Sequence, residues 1–363
     1  MRAIRAGIGI IWFVFVIALA SAAADPRQPL WAYSQERPYQ PGDKITPAPP
    51  VVLGLHEGED PVAMTRLLRV PGSERTYTPL DLRSSRLSII DWFPGDHPPP
   101  PPVVKHGPER MTLFRNACGS CHMPHGLGRP HNAGLAGLPR GYILQQLQDF
   151  RAGLRRPADP RKTNTLMMIE LAKGISEEEM NAAADYFSSL AYTPWTRVVE
   201  TDLVPRTKLV GMNVVPIELK RTEPIGTRIV EVAEDEEQYK LFNPRSGFVA
   251  YVPTGSIKRG EALVLTGGAK VVNGETVPGK TIACITCHGP DLRGLADFPP
   301  LAGRSPSYLA RQLYDFQQGT RKGPLAVTMT PVVANLDAED MVAITAYLAS
   351  LPPGGRAPGG SSN

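Results

Sequence analysis

The sequence predicts a mainly α protein. Two like helical units follow one another, preceded by a Pro-rich N-terminal arm and separated by a small β-rich insertion. Three observations lead there. All four cysteines sit in two copies of one pattern, Cys118-Gly119-Ser120-Cys121-His122 and Cys284-Ile285-Thr286-Cys287-His288. The residues after each copy repeat one another at a constant offset. The rest of the chain has a different texture: 38 Pro and 34 Gly among 363 residues imply long extended connections without wholesale disorder.

The N-terminus reads as a targeting segment. Arg2 and Arg5 precede an apolar run from Gly7 to Ala20, and Ser21-Ala22-Ala23-Ala24 stands before Asp25. A short positive region, an apolar stretch and a small-residue end make a cleavable secretory signal over residues 1–24. The competing reading is an uncleaved anchor, because Gly7 to Ala24 approaches the length of a membrane span. The expected location is the periplasm. Charge is nearly balanced, 39 Lys plus Arg against 35 Asp plus Glu. Scattered charge of this kind argues against a nucleic-acid binder, which carries a basic stripe.

Residues 25–104 form the arm. Pro98 to Pro102 are five consecutive prolines, which favour a stiff polyproline II rod. Trp31, Trp92 and Phe93 give the arm apolar weight, expected to pack on the chain's own helical units.

The paired motifs are the signature of covalently attached haem. Two thiols reach the two vinyl groups of one porphyrin, and the next residue, a histidine, reaches the iron from the same face. The alternatives are disulfides or a Cys-rich zinc site, but zinc does not require a histidine directly after each pair. The expectation is two haem c groups, held by Cys118, Cys121 and His122 and by Cys284, Cys287 and His288.

The repeat sets the two units at residues 105–193 and 252–352. His122 and His288 are 166 apart, and that offset aligns Leu135-Ala136-Gly137 with Leu301-Ala302-Gly303, Tyr142 with Tyr308, Gln146 with Gln312, and Gly153 with Gly319. Downstream the offset becomes 161, pairing Glu178 with Glu339, Met180 with Met341 and Tyr186 with Tyr347. The first copy therefore carries five extra residues between Arg155 and Met168. Two matching blocks of this length mark a duplication. Tyr142 to Ala152 and Tyr308 to Gln318 show helical apolar spacing, each closed by a glycine. The terminal helices start at Ser176 and Asp337, with Glu179 and Asp340 three residues on, as in capping boxes.

The offset also selects candidate sixth ligands. Met168 aligns with Met329, and a thioether opposite a histidine raises the potential and suits electron transfer. Met167 is the neighbouring rival. Met can equally fill a core gap, which is the expected role of Met180 and Met341. His125 and His131 are read as polar loop residues, and no histidine follows His288.

These residues resemble class I c-type cytochromes, and the tandem resembles the two-haem, c-four-like family. The resemblance covers residues 105–193 and 252–352. It implies two cytochrome c helical domains, iron coordinated by His122 with Met168 and by His288 with Met329, and no catalytic residues. In the family a Pro near the Leu-Ala-Gly segment accepts a hydrogen bond from the proximal histidine. Pro299 matches, whereas domain 1 has Ala133.

Residues 194–251 contain strand-like runs, Lys208 to Val215 and Arg228 to Val232. Glu231, Glu234, Asp235, Glu236 and Glu237 read as a solvated acidic face. Arg151, Arg155, Arg156, Arg161 and Lys162 read likewise as a solvated basic one, able to steer an acidic partner. Residues 353–363 read as a disordered tail. The expected function is single-electron transfer between periplasmic or membrane redox partners, a donor and an acceptor protein. The alternatives are a cytochrome subunit of a larger dehydrogenase or oxidase, or a dihaem redox enzyme such as a peroxidase. A peroxidase needs an exchangeable iron position, which paired methionines oppose.

Overall fold

The computed structural model describes residues 25, 27–45, 54–111 and 115–353. The expected signal 1–24 and residues 354–363 of the expected tail lie outside the described residues. Among the described residues no helix is long and apolar enough to cross a membrane.

Domain 1 is built on three helices: α1 (Arg140–Arg151), α2 (Thr163–Gly174) and α3 (Glu177–Ser189). Gly153 stops the first with a φ of +69°, a conformation that glycine adopts without a Cβ clash. Ser176 caps α3 through a reciprocal bond with Glu179, as the sequence pattern predicted. α1 packs on both α2 and α3. The core between α1 and α3 holds Val104, Leu138, Ile143, Met180, Phe187 and Trp195, while α2 sets Ile169 and Ala172 against Phe150 of α1. Met180 is fully buried, a burial that stabilises by about 1.5–3 kcal/mol.

The insertion contributes β1 (Thr196–Glu200), β2 (Leu203–Val210), β3 (Asn213–Pro224), β4 (Val230–Ala233) and β5 (Phe248–Val252). β5 lies between β1, parallel to it, and β4, antiparallel. β2 and β3 form a separate hairpin. The run Lys208 to Val215 is therefore no single strand. The chain reverses within it at Gly211, whose φ is +61°, because a positive φ breaks the extended path.

Domain 2 consists of α4 (Ser256–Thr266), α5 (Pro306–Gln317) and α6 (Ala338–Ser350). A small hairpin, β6 (Lys270–Val272) with β7 (Glu275–Val277), follows α4. Asp337 caps α6 through the expected bond with Asp340. α4 crosses α6 at Gly260, where an added Cβ would lie 1.9 Å from the Ala343 carbonyl oxygen. Only a glycine permits this approach. Between the attachment motif and the terminal helix the domains differ. Domain 1 runs the twelve-residue α2 there, while domain 2 has a 3-10 turn at Ala326–Met329 followed by one helical turn.

The arm packs on its own protein. Tyr33 donates to the Asp315 carboxylate, Arg311 to the Ala32 carbonyl at 2.5 Å, and Tyr314 to Asp25 at 3.2 Å. Further on, Trp92 donates to the Leu241 carbonyl at 2.5 Å and clusters with Val70, Ile90 and Phe93 against Leu241 and Phe242. The proline run is extended at Pro101, with φ −67° and ψ 163°, but Pro102 opens a helical turn, Pro102–His106. Proline suits that first position because its missing N–H would be unpaired there anyway. Val103 and Val104 of that turn lie in the domain 1 core.

Candidate functional site

Each attachment motif forms a short helical turn on the wall of a cavity. Cys118, Cys121 and His122 line the first, about 1300 Å³ counting its open mouth. Cys284, Cys287 and His288 line the second, about 1330 Å³ on the same measure. The two cysteine pairs stand in separate cavities, so they make no joint zinc site. Burial pushes the Cys118 thiol up to about 12 and the Cys284 thiol to about 11. Apolar surroundings of this kind favour the uncharged sulfur.

The proximal histidines are held alike. Nδ1–H of His122 donates to the Ala133 carbonyl at 2.8 Å, and Nδ1–H of His288 to the Pro299 carbonyl at 2.8 Å. The acceptor is backbone, so the change from Pro to Ala costs domain 1 nothing. This bond fixes the tautomer and leaves Nε2 for a metal. Burial holds both imidazoles below their ordinary value despite those carbonyls, so each is neutral, the form that ligates iron.

Met168 and Met167 both line the first cavity, and Met329 lines the second. His131 also lines the first. His125 stands outside it, between the rings of His97 and Trp195. Burial drops its pKa to about 3.

The basic cluster read as a solvated face is interior in part, with Arg151 and Arg161 half-buried. Arg156 is exposed, but Arg155 and Lys162 are buried. The correction has a structural cause: domain 2 packs over them. Arg155 donates to Gln146 at 2.8 Å, Tyr308 at 3.1 Å and Gln312 at 2.9 Å. Arg321 reciprocates to Gln312 at 3.1 Å, Tyr142 at 3.3 Å and Gln146 at 2.8 Å. The backbones of Arg155 and Arg321 pair as an antiparallel bridge. Every partner in this six-residue set is related by the offset of 166, so the duplicated units meet about a local pseudo-two-fold. Tyr142, Gln146, Tyr308 and Gln312 line both cavities. Burial would raise the Tyr142 phenol, but Arg321 and Arg155 beside it bring it below its ordinary value. The sequence reading aligned these residues as repeat markers and missed that they form an interface. The signal was there, since polar side chains at matching positions of a duplication are candidates for a symmetric contact.

Glu231, read as part of an acidic face, is also interior. Its carboxylate accepts from Ser305 at 2.8 Å and Thr196 at 3.2 Å. Glu234 to Glu237 are exposed as expected.

The residues present fit haem c. Each cavity offers two thiols and a neutral imidazole on one wall, a methionine elsewhere and an apolar lining. The guanidiniums of Arg155 and Arg321, whose side-chain partners among the described residues are all neutral, stand at the shared edge, matching the carboxylates that haem carries.

The cytochrome c family model matches residues 111–191 and 271–352. A thiosulfate dehydrogenase electron acceptor from Thiomonas intermedia is 28% identical over 242 residues, 65% of this chain and 79% of that protein. Cytochrome c4 of Stutzerimonas stutzeri is 28% identical over 240 residues, 64% and 84% of the two chains. Cytochrome c-554(547) of Halothiobacillus neapolitanus is 35% identical over 89 residues, 22% of this chain and 98% of its own. Among solved structures, a thiosulfate dehydrogenase from Marichromatium purpuratum aligns with a TM-score of 0.43 and 26% identity, over 69% of this chain but only 39% of that one.

Proposed function

The chain belongs to the cytochrome c family, as a tandem two-haem member that carries electrons on two covalently bound haem c groups, and we propose that it is a closed relay whose domain 2 faces its partner. Bound haem c supplies a one-electron iron couple whose potential its ligands set. The residues do the rest. His122 and His288 present Nε2 because their Nδ1 protons are committed to carbonyls. Met168 and Met329, which line the same two cavities, would supply the second protein ligand to each bound haem, and an iron held by two protein ligands would have no exchangeable site. Domain 1 corresponds to residues 105–193, domain 2 to 252–352, and the setting is the periplasm.

One observation carries the relay reading: two matched cavities share a wall of Tyr142, Gln146, Tyr308 and Gln312. An electron crossing it meets packed protein and no bulk water. The direction comes from surface character. Ile282 and Leu325, both exposed, line the second cavity, and exposed Leu295 and Val327 lie in neighbouring segments. Among the described residues, no exposed large apolar side chain lines the first. Apolar surface of this kind marks a contact site.

Two experiments test this. Carbon monoxide added to the reduced protein at neutral pH should bind neither haem rapidly. Rapid stoichiometric binding with peroxide turnover would replace the relay by an enzyme. Met168→Ala should abolish the far-red sulfur-to-iron band of haem 1 and Met167→Ala should not; the reverse result reassigns the ligand.

A second reading, a cytochrome subunit with a dehydrogenase partner, is favoured by the name of the Thiomonas relative, a thiosulfate dehydrogenase electron acceptor. Co-purification of a dehydrogenase with the native protein would establish it.

A further inference from the structure

The five extra residues of domain 1 place a lysine where none is expected. Lys162 is only 1% exposed, and its ammonium has no hydrogen-bond partner among the described residues. Isolating an ammonium from water costs several kcal/mol unless a counter-charge is present. The two nearby carboxylates are engaged elsewhere. Asp159 accepts from Arg161 at 2.6 Å and from Gln28 at 3.1 Å. Asp315 accepts from the Ala158 amide at 2.8 Å and from Tyr33. Arg311 adds a second buried cation, and its hydrogen bonds go to the carbonyls of Ala32, Pro130 and His131. Two cations thus lie together with no carboxylate bonded to either among the described residues.

Their surroundings identify the missing anion. Arg311, His131, Asn164 and Asp315 all line the first cavity. Lys162 is the residue capping the N-terminus of α2, where the helix dipole also favours negative charge. From outside, the arm closes the chamber. Gln28 reaches Asp159, Arg161 donates to the Arg37 carbonyl at 2.7 Å, and Arg311 holds Ala32. An anion from solution would have to displace this cover, whereas a haem in the cavity brings its carboxylates from within.

We propose that Lys162, with Arg311, holds one carboxylate of haem 1 in a chamber sealed by the N-terminal arm, and thereby raises the reduction potential of that haem above that of haem 2. The inference rests on haem c occupying the first cavity. Domain 2 has no equivalent of the inserted stretch, and Lys322, which follows Arg321 there, is exposed. A carboxylate stripped of its ammonium stabilises ferric iron, so removing Lys162 lowers the potential. The low dielectric of a sealed site enlarges the effect.

The test is spectroelectrochemical titration of Lys162→Met, which keeps the apolar stem, beside Lys162→Arg, which keeps the charge. In the Met variant one of the two redox waves should fall by about tenfold in its ferric/ferrous equilibrium, 59 mV for one electron, while the other stays. The Arg variant should recover most of that fall. Resonance Raman should show the propionate bending mode of one haem altered by Met and not by Arg. Where the Met variant fails to mature, Lys162→Gln takes its place with the same expectation. Unchanged waves and propionate modes, in a variant holding two haems by the pyridine haemochrome assay, would overturn the proposal. A wild-type count of one haem would instead remove the reading beneath it.

Discussion

Domain 2 supports its terminal helix with the eleven-residue α4 laid across α6, whereas in domain 1 the corresponding support among the described residues is the five-residue turn Pro102–His106 against α3. Domain 1 makes up the difference from outside the repeat. Ile89 of the arm packs against its attachment turn, so close that a Cβ on Gly119 would meet its Cγ2 at 2.9 Å. Trp195 and Phe248 of the insertion enter its core. The duplication kept the cavity wall, the histidine contact and the interface residues, and let the supporting shell diverge. A haem domain needs a backing for its terminal helix, and it matters little which segment supplies it.

The comparison breaks most easily at the arm. Trp92 is nearly fully buried and anchors the arm to the insertion. Trp92→Ala should cost about 3–5 kcal/mol, and the loss should fall on domain 1. Denaturant unfolding followed at both haems is expected to separate into two transitions, the earlier one belonging to domain 1. A single shifted transition would mean that the arm supports both domains equally.

The next largest effect lies in domain 2. Replacing an interior helical glycine by alanine ordinarily stabilises by up to about 1 kcal/mol. At Gly260 the new methyl would strike the Ala343 carbonyl and the Tyr347 Cβ, 2.8 Å away. Overpacking of that kind costs about 1–3 kcal/mol. Gly260→Ala should therefore lower the unfolding midpoint of domain 2 and leave domain 1 in place. A rise in stability would show that α4 can slide on α6, and that the two shells are less different than the geometry implies.

Much of the haem machinery was legible because it is local. The motif CxxCH spans five residues, a capping box four, and a helix-ending glycine one. The offset of 166 then carried each reading from one domain to the other. What escaped depends on pairs far apart in the chain. Lys162 and Arg155 sit in a stretch that looks like solvated surface, and they are interior only because the arm and domain 2 cover them. Glu231 misled for the same reason, since its partners Ser305 and Ser307 lie more than seventy residues away. The crossing of α4 on α6 was also hidden: a lone glycine in an amphipathic helix looks like a propensity defect until its neighbour is known.

The smallest expected effect concerns pH, and it again separates the domains. His97 of the arm is buried beside α3 of domain 1. Its Nε2 lies 3.3 Å from the Asp91 carboxylate, and its Nδ1 lies 3.0 Å from the Pro98 carbonyl and 3.1 Å from the Tyr186 hydroxyl. Burial alone would disfavour the imidazolium, but Asp91, Pro98 and the charge of Asp96 outweigh it, so the pKa rises above the ordinary 6.5. A group whose pKa is raised by folding binds its proton more tightly in the native state. Its contribution is therefore complete below pH 6.5 and fades as pH climbs through the raised value. Residues 252–352 contain one histidine, His288, which is committed to the Pro299 carbonyl, so domain 2 has no counterpart of the His97–Asp91 pair among the described residues. Domain 1 should thus lose up to about 1 kcal/mol between pH 6 and pH 8, the worth of a typical hydrogen bond to a charged partner after screening, while domain 2 holds steady. Asp91→Asn should flatten the domain 1 profile. If the slope survives that substitution, the pH dependence comes from another group and the arm is not held by charge at His97.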